Sequence, residues 1–165
     1  MNNSVEELIN ALTEKGSVLQ EMLAILEEEQ RCIVELDIAS LEASGERKVK
    51  VIERMQGLND RCRRFIEQAG VECGVEEPFT LTPLIARLDV PEGERLTDLQ
   101  SRLLSIHSSM DQLLSVNRGL IEESIHSMDH SLAFFQRILR FADTYGNGGH
   151  MVEGAVEGSI VYREA

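Results

Sequence analysis

Between Glu94 and Tyr145 the chain has no proline, and its only glycine is Gly119. Over that span Leu96, Leu99, Leu103, Ile106, Met110, Leu113 and Asn117 recur at alternating steps of three and four residues, and the series runs on into Ile121. Such a run specifies one helix ending at Gly146, about 80 Å long at about 1.5 Å per residue. Whatever precedes it must pack along a helix of that length.

The preceding residues supply two shorter helices. Val5, Leu8, Leu12, Leu19, Met22, Leu26, Ile33 and Leu36 follow the same alternation, interrupted at Lys15 and Glu29. Ser4 followed by Glu7 has the spacing of a capping box. A second series, Leu41, Val49, Ile52, Met55, Cys62, Ile66 and Ala69, is out of phase with the first, which places a turn near Asp37 with its carboxylate as the cap of a second helix. The first helix is rich in glutamate, and the second carries Arg47, Lys48, Lys50, Arg54, Arg61, Arg63 and Arg64. Opposite charges facing each other suit an antiparallel hairpin.

Gly70, Gly74 and Pro78 read as the end of the second helix, and Thr82-Pro83 as the cap and first position of a short helix that covers the open end of the hairpin. The predicted helices are thus about 4–36, 38–69, 83–88 and 94–145. The fold class is all-α: a hairpin plus a long third helix in an elongated, coiled-coil-like three-helix bundle. Residues 1–145 form a single helical domain, and the glycine-rich segment 146–165 is a flexible tail. Since the first two helices span only roughly 45–50 Å, about 20 residues of the third overhang the core.

Two apolar stripes run along that end. Ile121, Ile125, Met128, Leu132, Phe135, Leu139 and Ala142 form one, read as a core face. Phe134, Ile138, Phe141 and Tyr145 form a second, roughly 130° away on a projection of about 100° per residue. One packed neighbour cannot cover both, so the second stripe is the expected partner surface.

Composition narrows the function. A formal charge of −13 argues against a nucleic-acid binder, because phosphate contacts need a basic face. Cys32, Cys62 and Cys73 have neither CxxC spacing nor an even count, which fits a reducing compartment. The start MNNSVEELINAL lacks the features of a signal peptide, and no segment reaches the roughly 18 apolar residues of a membrane span. The expected location is the cytoplasm, without membrane insertion. Glu123 and His126 have the ExxH spacing of a di-iron bundle, but neither His107 nor His130 completes a second motif. The histidines therefore read as structural or adventitious. No nucleotide-binding or hydrolase motif is present. The expectation is a protein that is not an enzyme and has no cofactor or metal.

Several stretches in order resemble the FlgN-like chaperones of flagellar type III export. They are LINALTEKGSVLQEMLAILEEEQ, ELDIASLEASGERKVKVIERM, VNRGLIEESI and the TYGNGG that closes the long helix. The resemblance implies a small cytosolic chaperone that binds the C-terminal helical segments of hook-associated junction proteins, prevents their premature assembly and delivers them to the export gate. It places the substrate surface in the C-terminal part, adding Asn117, Leu120 and Ile121 of VNRGLIEESI to Phe134, Ile138, Phe141 and Tyr145. It also puts the residue that docks on the cytosolic domain of the gate at Tyr145. A monomer with at most weak self-association is expected. The alternative is a self-assembling structural coiled coil whose overhangs pair with each other, and a more distant one is a metal-dependent bundle enzyme.

Overall fold

The computed structural model describes residues 3–76 and 79–144, and the side chains among them as far as Arg140. The expected tail, 146–165, lies outside the described residues. Four α-helices, and no strand, occur among the described residues: α1 (Asn3–Glu35), α2 (Ile38–Glu72), α3 (Leu81–Ile85) and α4 (Val90–Thr144). The chain divides into two compact units, Met1–Ile121 and Glu122–Ala165.

The first unit is a helical bundle. A ladder of ion pairs fixes the antiparallel register of α1 and α2: Glu14–Arg61 at 2.9 Å, Glu21–Arg54 at 2.7 Å and Glu28–Arg47 at 2.5 Å. One partner advances by seven residues as the other retreats by seven, which is the spacing of charges flanking a heptad seam. These pairs are largely exposed, so each contributes at most about 1 kcal/mol; their effect is on register. The long helix runs parallel to α1, since Arg95 grips Glu6 with two bonds of 2.9 and 3.2 Å, Leu103 lies against Gly16, and Asn117 reaches Leu26.

The core lies in the seam these contacts enclose. Val5, Leu8, Leu12 and Leu19 of α1 cluster with Cys62 and Ala69 of α2, Leu84 of α3, and Leu96, Leu103 and Ile106 of α4. A second cluster joins Val18, Met22, Ile25 and Leu26 to Val51 and Leu58, with Met110 and Leu113 packed on it. The short α3 covers the open end of the hairpin, as expected, by burying Leu84.

Several details differ from the sequence expectation. In α2 the buried seam passes through Ser44, Val51, Leu58, Cys62 and Ala69, whereas Val49 and Ile52 are exposed. The seam was hidden because two of its positions are polar: Ser44 is fully buried, and Lys48 pairs with Glu29, the residue that interrupts the apolar series of α1. Ser4 does not cap α1. Its buried hydroxyl donates to a Glu72 carboxylate oxygen at 2.6 Å and ties the start of α1 to the end of α2. Gly70 does not stop α2 either; a Cβ there would stand 2.5 Å from the Phe79 ring, so its glycine serves a close approach. The stop is Gly74, at φ +65°, with Val75 N–H donating to Gly70 O and Gly74 N–H to Val71 O. The short helix starts at Leu81 with Thr80 in the cap position, so Pro83 falls in its first turn, where no N–H is required. The long helix starts at Val90 and not at Glu94, because Pro91 suits the first turn and Gly93 N–H already donates to Asp89 O at 2.9 Å.

The hairpin turn is Leu36-Asp37. Asp37 N–H donates to Cys32 O and Leu36 N–H to Ile33 O, the paired bonds of a left-handed helix stop. Leu36 occupies the left-handed position at φ +56° and is exposed, so it is the turn and not the last core residue of α1. Asp37 then caps α2, accepting from Ser40 N–H at 3.1 Å. Bonds from the Ser40 hydroxyl and N–H hold the Asp37 carboxyl below its ordinary pKa.

Candidate functional site

The second unit contributes the stretch of α4 from Glu122 to Thr144. Its sequence continues the helix without a breaker, so the backbone conformation follows from the same features that set the rest of α4. What changes is burial. Ile125, Met128, Leu132, Phe134, Phe135, Ile138 and Leu139 are all exposed, from 46% for Ile138 to 63% for Leu139. A lone surface leucine needs no explanation, but seven large apolar side chains exposed within fifteen residues make this stretch the candidate interaction surface.

The stripe through Ile125, Leu132 and Leu139 was expected to be core, and that expectation is corrected: it is as open as the stripe through Phe134 and Ile138. Periodicity identifies an amphipathic face, but it carries no information about whether a neighbour is present to cover it. Both apolar faces of this stretch are available. Phe134 and Phe135 bridge them, with ring centroids 6.0 Å apart in an edge arrangement. The remaining arc is polar and carries His126 and His130 side by side; Ser131, whose Oγ donates back to Ser127 O, lies with Ser127 on the face of Phe134 and Ile138.

The expected partner residues separate into four groups. Phe134 and Ile138 are exposed in the second unit. Ile121 is exposed and Leu120 half-buried at the end of the first. Asn117 is a correction: only 3% of it is accessible, and its Nδ2 donates to Leu26 O at 2.9 Å, so it is an interior residue of the first unit. It occupies a heptad position of α4, and an amide there is held by the bundle and is not offered to a partner. Phe141 is a helical residue of α4 whose side chain lies outside those described, and Tyr145 lies outside the described residues altogether.

Among the described residues, little else has the makings of a reactive site. Cys32 and Cys62 are buried, and burial pushes the Cys62 thiol above its ordinary pKa, which disfavours the thiolate. Cys62 thus packs as a small apolar residue, as its place in the seam predicts. A shallow depression beside Arg87 and Glu92 has the Arg95–Glu6 ion pair for a wall. Among the described residues no helix is long and apolar enough to cross a membrane.

The family described as FlgN protein matches residues 1–153. Neither the curated proteins nor the solved structures gave a match.

Proposed function

The chain belongs to the FlgN protein family, whose members act as flagellar export chaperones, and from that premise we propose that its cargo is the C-terminal helical segments of the hook-associated junction proteins. The observation that supports this reading is the pair of exposed apolar faces between Ile125 and Leu139. Assembly segments of this kind are amphipathic and prone to self-association. A chaperone helix that lends them an apolar partner surface completes a bundle and masks the faces that would otherwise assemble.

The geometry narrows the form of the cargo. The faces centred on Leu132 and on Ile138 stand roughly 130° apart at about 100° per residue, too far for one helix to cover. The cargo therefore docks as two helical segments, one on each face. Phe134, Phe135, Ile138 and Leu139 are the anchors, because large desolvated side chains near the centre of an interface contribute most of its energy. In this reading the chaperone works in the cytosol and then docks on the cytosolic domain of the export gate through Tyr145.

Loading and delivery are separable by experiment. Both affinities are measured on purified Tyr145→Ala: that for a junction-protein C-terminal segment and that for the cytosolic domain of the gate. Cargo affinity is expected to stay within a few-fold while gate binding falls. Unchanged gate binding, or loss of both together, removes Tyr145 from the delivery role; failure of the parent protein to bind any such segment removes the cargo assignment.

The same exposed faces also suit pairing between two copies of this chain. Sedimentation of the protein alone and with cargo separates the readings, since a chaperone stays monomeric until cargo is added, whereas a structural coiled coil associates without it.

A further inference from the structure

We propose that His126 and His130 form a binding site for one divalent transition-metal ion. One helical turn separates them on α4, and their Nε2 atoms stand 3.0 Å apart, with ring centroids at 4.4 Å and ring planes at 88°. Both Nε2 atoms thus converge on one point. In the bare protein the two rings are in hydrogen-bond contact through these atoms, with donor and acceptor set by the tautomer. Two imidazole nitrogens bound to one ion at about 2.0–2.1 Å and a near-right angle stand about 3.0 Å apart. The observed separation is that of a chelate.

Both rings bind the ion through Nε2 as neutral imidazoles, with the ring proton on Nδ1. Imidazole donors select Cu²⁺, Ni²⁺ and Zn²⁺ over Mg²⁺ and Ca²⁺, which prefer oxygen. No group of three or more His, Cys, Asp or Glu placed to hold an ion occurs among the described residues, so water, or a donor from another molecule, fills the remaining positions. This is a different site from the di-iron arrangement that the ExxH spacing brings to mind, which needs four carboxylates.

Placement gives the ion a role. At about 100° per residue, His126 and His130 lie on the arc opposite Ile125, Leu132 and Leu139, so an ion there leaves that apolar face uncovered. The described apolar side chains around it, from Ile125 to Leu139, are all exposed, and a helix without a packed face is marginal in water. A clip across one turn stabilises the helical state by mass action and prepares the surface for its partner.

The test is calorimetric titration of the full chain with Ni²⁺, together with amide hydrogen exchange over residues 122–140. One ion per chain is expected, with affinity reduced about tenfold or more in His126→Ala and in His130→Ala and unchanged in His107→Ala. Exchange should slow around 126–134 on adding Ni²⁺ in the parent protein and in His107→Ala, but not in His126→Ala or His130→Ala. Absence of Ni²⁺ binding, or binding that survives His130→Ala, overturns the proposal. So does binding lost in His107→Ala or Cys73→Ser, because it places the ion elsewhere.

Discussion

Asn117→Leu is expected to make the protein more stable. The Asn117 side chain is buried in the heptad seam of α4, where its Nδ2 donates to Leu26 O at 2.9 Å but its Oδ1 has no partner. A typical intramolecular hydrogen bond contributes about 1 kcal/mol net, and an unsatisfied buried acceptor costs about 1–3 kcal/mol. Leucine gives up the first and relieves the second, with the same number of side-chain heavy atoms and more apolar surface buried. The balance is a gain of about 1 kcal/mol, or about 3 °C in Tm for a chain of this size. Urea unfolding followed by far-ultraviolet circular dichroism measures it, with an unchanged m-value showing that the transition is the same. Asn117→Ala, which removes the bond and leaves a gap, should instead lose stability. A loss of 1 kcal/mol or more in Asn117→Leu would refute the reasoning, because the carbonyl must then have a partner and the amide must stabilise the fold. Asn117 lies one turn of register from the Glu29–Lys48 pair, so the gain is expected to come with weaker selection of helix register.

Three further outcomes follow from the turns and close approaches. Leu36→Gly should stabilise the protein by about 0.5–1 kcal/mol, since the left-handed position costs a leucine more than glycine loses in chain entropy; a destabilised variant in urea would show that the exposed leucine packs. Gly70→Ala should destabilise by about 1–3 kcal/mol because its Cβ meets the Phe79 ring at 2.5 Å, and most of that loss should return in the double variant with Phe79→Ala; no recovery would place the strain elsewhere. The Asp37 cap should make stability fall with acid: its folded pKa is lowered, so its contribution is fully present above the ordinary carboxylate range and is lost as pH falls through the lowered value. Asp37→Asn, which keeps a cap acceptor without a charge, should lose less stability than the parent between about pH 5 and about pH 2, and equal losses would show that other carboxylates set the acid limb.

Much of the first unit is legible in the sequence because heptad spacing and charge spacing report on the same seam. The step from Leu36 to Leu41 marks the turn at Asp37, and glutamates at 14, 21 and 28 anticipate arginines at 61, 54 and 47. The reading fails where polar residues take core positions. Ser44 and Lys48 hid the seam of α2. Spacing put Asn117 on the seam of α4, and it was the resemblance that assigned it to the partner surface, although its amide is sealed against α1. It fails again where one residue type serves two purposes, as when Gly70, needed for the approach of Phe79, reads as a helix stop. At the candidate site the apolar pattern was visible, but its assignment to core was not secure. Leu139 has the spacing of a buried residue and is 63% exposed, because a pattern of side chains specifies what a face would bind and not whether a neighbour binds it.

The central claim is that both apolar faces between Ile125 and Leu139 are kept for cargo. Its most direct test is a paired measurement, on the full chain, of unfolding free energy and of affinity for a junction-protein C-terminal segment in Phe134→Asp and in Leu139→Asp. Exposed positions tolerate charge, so both variants should unfold within about 0.5 kcal/mol of the parent. A charge placed at an interface anchor should cost each about 2 kcal/mol or more of binding, a loss of roughly thirtyfold. Leu139→Asp unfolding with the penalty of a core substitution, or either variant binding cargo with the affinity of the parent, would contradict the account.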